Sequence, residues 1–196
     1  MNIQTGRKVV KAGFILYLLA QLVIRLTSCV LNMFIDYWWD YFNTFYMIIR
    51  LMDWCLVIAL GGAALGFAIM WISEKGLSDL FAGVGAAVSA LIYLLTCLDQ
   101  TPYDGVGMIL FVALSLVFYI PLVWKAWQVN KALAVVLGFA FLYLIFGNQI
   151  SRGMQDLLWN IGLDFLVRFL YVGMELFGVA CAALPFLAVT LEERSA

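Results

Sequence analysis

Charged residues recur in this chain at nearly one fixed interval. Twenty uncharged residues separate Asp53 from Glu74, nineteen separate Asp79 from Asp99, and twenty separate both Asp104 from Lys125 and Lys131 from Arg152. An α-helix rises 1.5 Å per residue, so about 20 residues cross a hydrocarbon core about 30 Å thick. That spacing predicts four membrane-spanning helices. Composition agrees: 66% of the 196 residues are hydrophobic and 12% charged, against roughly 45–50% and about 25% in soluble domains. So apolar a chain exceeds what one small aqueous core can hide. The bilayer is the solvent that accepts the surplus.

Two more spans are expected at the ends. Residues 12–35 are apolar except for Gln21, Arg25, Ser28 and Asn32, and residues 165–191 except for Arg168 and Glu175. The beginning also has a signal-peptide layout: Arg7, Lys8 and Lys11, an apolar run from Ala12 to Ile24, then Leu26-Thr27-Ser28-Cys29. Arg25 interrupts that run before the cysteine, so residues 1–35 are read as a first membrane helix. The expectation is an all-α, polytopic bundle of about six spans, residues 1–196 forming a single integral membrane domain. Lysine and arginine gather at the N-terminus and in the Lys125–Lys131 loop, whereas Leu98–Asp104 carries no base. By the positive-inside rule both termini face the cytoplasm or its organellar equivalent, in an inner, plasma or organellar inner membrane. Arg50 and Arg152 fall on the other side. The seven tryptophans cluster near segment edges, as an interfacial aromatic belt does.

The residue inventory excludes much chemistry. There is no histidine, which removes imidazole-ligated metal and haem and Ser-His-Asp or Cys-His catalysis. The lysines all sit at segment ends, so none is placed for an intramembrane Schiff base. Cys29, Cys55, Cys97 and Cys181 form no C-x-x-C pair. A net charge of −1 offers no footprint for nucleic acid, and no Gly-rich phosphate loop occurs. No metal and no cofactor is expected. Asp36, Asp40, Asp156 and Asp164 could serve an intramembrane enzyme, but they form no D-D-x-x-D-like cluster, so the chain is read as non-enzymatic.

Two polar stripes are the informative feature. Gln21, Arg25, Ser28, Asn32, Asp36, Asp40 and Asn43, and beyond them Arg50 and Asp53, recur mostly at steps of three or four. So do Gln149, Arg152, Asp156, Asn160, Asp164, Arg168, Tyr171 and Glu175. Such steps keep side chains on one helical face. Each stripe runs through part of a span and continues into a segment, near 36–53 and near 148–164, expected to form an amphipathic helix on the outer side of the membrane. Arg25 and Glu175 each lie about ten residues inside their spans, roughly 15 Å deep. Charges there need partners, and the equal depths predict that the two pair, with Arg168 as a further member of a pair or relay. Gln21, Asn32, Arg168 and Tyr171 are the candidates for completing the hydrogen bonds.

The middle spans carry packing motifs. Gly62 and Gly66 make a G-x-x-x-G, and Ala82, Ala86 and Ala90 make a small-residue ladder; both let membrane helices approach closely. With so little mass outside the bilayer, the chain reads as a non-catalytic multi-pass subunit of a larger membrane complex of the secretion, respiratory or transport type. Its partners are then the lipid bilayer and other membrane subunits. The alternative is a small self-contained transporter or channel whose charged stripes line a polar path.

Overall fold

In a computed structural model of the chain, every described element is a helix, and no strand occurs among the described residues. The structure describes residues 3–34, 38–98, 113, 119–124, 126–128 and 130–195, without the side chains of 32–34, 38–43, 144–145, 148–149, 151–152, 164–165 and 185–195. The helices are α1 (Ile3–Phe34), α2 (Trp38–Glu74), α3 (Leu77–Cys97), α4 (Lys131–Asn160) and α5 (Asp164–Ser195). Residues 119–124 and 126–128 are also helical.

Among the described residues, four stretches are long and apolar enough to cross a membrane: Ile3–Leu31, Thr44–Glu74, Leu77–Cys97 and Leu166–Leu184. They point to an integral membrane protein. Within α4, Lys131–Tyr143 is a shorter apolar stretch. The span expected between Asp104 and Lys125 lies mostly outside the described residues.

The expected outer segments are not separate helices. No glycine or proline interrupts residues 38–60, so the polar stretch near 36–53 continues without a break into the apolar one as α2. The stretch near 148–164 is divided between two elements. Its first part is the end of α4, and a turn at 161–163 separates it from α5. Gly162 adopts φ +74° there, a conformation only glycine takes at little cost. The Leu163 N–H then reaches Leu158 O (2.9 Å) and the Gly162 N–H reaches Trp159 O (3.1 Å), a Schellman closure of the helix. At the opposite end of the bundle, Asn130 caps α4 by accepting from the N–H groups of Ala132 (2.9 Å) and Leu133 (3.2 Å).

Helix α1 is central. It packs on α2, which packs on α3, and on its other side it meets α5, which packs on α4. Between α1 and α2 the backbones touch. A Cβ built at Gly13 would lie 2.7 Å from Ala59 O and 2.9 Å from Ala63 N. One at Gly66 would lie 2.7 Å from Val10 N and 2.8 Å from Gly6 O. No side chain fits at these positions. Such contact yields dispersion attraction along the whole seam, the main driving term where lipid already solvates apolar groups. Phe14 meets Phe67 edge-on, ring centroids 6.4 Å apart, and both are buried with Val10, Leu60, Leu122 and Leu137 in one cluster.

A polar seam as the candidate functional site

The stripe on α1 turns inward because Gly6, Val10, Gly13 and Ala20 are committed to the core. A helix face continues at steps of three and four, so Tyr17, Gln21 and Arg25 follow on adjoining positions. From α5, Tyr171 and Glu175 meet them. Arg25 Nη1 donates to Glu175 Oε2 at 2.8 Å, with the two side chains 22% and 16% exposed. A charge-assisted bond of this length is among the stronger ones. The Tyr171 hydroxyl is hydrogen-bonded to Glu175 and to Ser28, which ties the carboxylate back to α1 by a second route.

One turn nearer the termini, Gln21 is 8% exposed, and its amide donates a long bond (3.5 Å) to the Tyr93 hydroxyl on α3. Tyr17 and Tyr119 share a hydrogen bond, and Tyr119 stacks on Phe141 of α4, centroids 3.9 Å apart. The Tyr143 hydroxyl donates to Met174 O (2.7 Å), joining α4 to α5. Side chains from four helices and from residue 119 thus form one polar seam.

Of the stripe residues, Arg25, Glu175 and Tyr171 come together. Arg168 lies exposed on α5. The side chains of Asn32, Asp40 and Asp164, and residue Asp36 entirely, lie outside the described residues. Gln21 serves Tyr93 rather than the charge pair. Ala82, Ala86 and Ala90 are buried together on α3. The G-x-x-x-G motif divides: Gly66 lies in the α1–α2 seam, whereas a Cβ at Gly62 meets nothing within 4 Å. On α2 Gly66 shares its face with Ala59 and Ala63: Gly66 meets Gly6, and Ala59 and Ala63 meet Gly13. The seven-residue spacing of Gly6, Gly13 and Ala20 was the available signal.

Three residues carry roles that the stripes alone do not announce. Arg50 Nη2 donates to Cys97 O (2.9 Å), binding the last turn of α3 to α2. Asp79, which in the sequence merely ends a span, is buried in the first turn of α3. Gly178, one turn from Glu175, is the seat of the Arg25 guanidinium: a Cβ there would fall 2.5 Å from Cζ.

The α1–α2 register relates these levels. Gly6 faces Gly66 and Met70, and Gly13 faces Ala59 and Ala63; continued along the pair, this brings Arg25 level with Arg50. The charge pair and the end of α3 therefore stand at one height. No family model matches the chain, and no curated protein and no solved structure proved similar to it.

Proposed function

We propose that the chain is a non-catalytic, multi-pass subunit of a larger membrane assembly of the secretion, respiratory or transport type, with six spans and both termini on the cytoplasmic side or its organellar equivalent. Helix α3 serves as a ruler for this reading. Its 21 residues measure about 32 Å, close to the hydrocarbon thickness. Helices α1, α2, α4 and α5 have 32, 37, 30 and 32 residues, or about 45–55 Å. Both the α1–α2 and the α4–α5 hairpin then project from the outer surface.

The observation that carries the proposal is the surface of these projections. Met47 is 71% and Trp159 67% exposed, and Leu157 and Ile161 are exposed beside Trp159. A projection meant only for water would be polar here, and exposed apolar groups rimmed by charge mark contact surfaces. Meanwhile Arg25 and Glu175, and Gln21 and Tyr93, are engaged with each other across the seam. The test is gentle solubilisation with quantification of co-purifying chains, combined with a photo-crosslinker at Trp159. Stoichiometric partners crosslinked through residue 159 support the reading; a solitary chain with no adduct sinks it.

A second reading, a small self-contained transporter or channel, is favoured by the buried polar cluster of Gln21, Tyr93, Tyr17 and Tyr119. Ion conductance or solute uptake by the purified chain alone in liposomes would establish it.

A further inference from the structure

We propose that Arg25 and Glu175 form a latch: they hold the hairpin-side half of the α4–α5 pair against α1, and releasing them opens the polar interior of the bundle. The inference does not depend on the subunit reading, since a latch can serve an assembly or a solitary chain.

The α4–α5 pair is attached differently along its length. Near the chain termini it is anchored by close apolar packing. Ala134, Leu137 and Phe141 of α4 and Ala182 of α5 are buried in the common core, and the Tyr119–Phe141 stack lies at the same anchor. Towards the hairpin, Phe146, Ile150, Met154, Leu157 and Phe169 are exposed. There the bonds to α1 are polar: Arg25 to Glu175, and Tyr171 to Ser28. An apolar anchor at one end and a polar contact at the other is the construction of a hinged arm.

The contact itself is built to close but not to bind as tightly as it could. The guanidinium rests on bare backbone at Gly178, so no side chain of α5 blocks its approach. Its Nε is buried without an acceptor, so the closed state leaves one donor unsatisfied. An orphaned donor taxes the state that buries it, and this one taxes only the closed state.

What the latch covers is polar. Gln21 and Tyr93, then Tyr17 and Tyr119, lie one and two turns below Arg25 on the inside of the bundle. Beneath them Phe14, Leu60, Phe67 and Leu137 form a dry layer. Opening the arm therefore admits water or a small polar solute as far as Tyr17 and no further. The interior becomes accessible from the hairpin side alone.

The test uses the purified full-length chain with Cys29, Cys55, Cys97 and Cys181 replaced by alanine and a single reporter, Gln21→Cys. The readout is its rate of modification by a charged methanethiosulfonate reagent. Arg25→Gln or Glu175→Gln should each raise that rate at least tenfold. Unchanged rates in variants that remain monodisperse overturn the proposal. Should both variants misfold, the intact pair is tested instead. Ser28→Cys and Tyr171→Cys, joined by a short bifunctional thiol crosslinker before a photoreactive label replaces the reporter, should abolish labelling of residue 21. Equal labelling with and without the crosslink overturns the latch.

Discussion

The two faces of α1 are joined to their neighbours by opposite means. Towards α2, Gly6, Gly13 and Gly66 remove side chains so that backbones touch. Towards α5, long side chains reach across and the contact is a charge pair, with a single glycine, Gly178, making room for it. The first seam depends on shape repeated over several turns. The second depends on a few polar atoms at one level and can be exchanged for water or another ligand. The comparison teaches where rigidity and where adjustability are located in this bundle. One face of α1 is a weld, and the other a clasp.

The strongest way to break the comparison is to obstruct the weld. Gly13→Leu places a side chain against the Ala59 and Ala63 backbone, which cannot yield as a side chain can. The expected cost exceeds the ~1–3 kcal/mol usual for overpacking, seen as loss of monodisperse protein on size exclusion. Well-folded Gly13→Leu protein would mean that α1 and α2 are not in contact there.

Next in size is the clasp. Arg25→Gln and Glu175→Gln should each destabilise by about 2–3 kcal/mol, below the 3–5 typical of fully buried pairs because both side chains are partly exposed. Thermal unfolding of the double variant should recover part of the summed loss. Strictly additive losses would assign each charge a separate partner.

Gly178→Ala sharpens the same point at smaller scale. The added methyl displaces the guanidinium, and the expected cost is about 1 kcal/mol. In an Arg25→Gln background that cost should vanish, because nothing then occupies the seat. A cost that persists would make Gly178 a backbone contact like those facing α2.

The smallest effect has the opposite sign. Gly62→Ala fills open space in a helix interior and should stabilise by roughly 0.5–1 kcal/mol, whereas Gly66→Ala should destabilise. Matched scans of the two variants separate a glycine used for contact from one that is not.

The sequence by itself determined the helices and the identity of the charge pair. Helix formation is settled by bonds between residues four apart, so charge-free runs and an uninterrupted 38–60 are sufficient instructions. Arg25 and Glu175 were legible as partners because two long, antiparallel helices carry opposite charges at matching distances from their hairpin ends. Even the end of α4 was written, in Asn160-Ile161-Gly162-Leu163-Asp164, though a stripe running through Gly162 masks it. What only the tertiary structure decided was rotation and register. Gly62 and Gly66 are equivalent in sequence, and one of them faces α1 only because the packing of every helix together sets how α2 is turned. The same holds for Arg50 reaching Cys97 O and for the guanidinium resting on Gly178. Those contacts join residues 47 and 153 positions apart, and no local spacing encodes them. Sequence sets the face a residue shares with its neighbours along the helix; what that face meets is decided by the sum of all the seams.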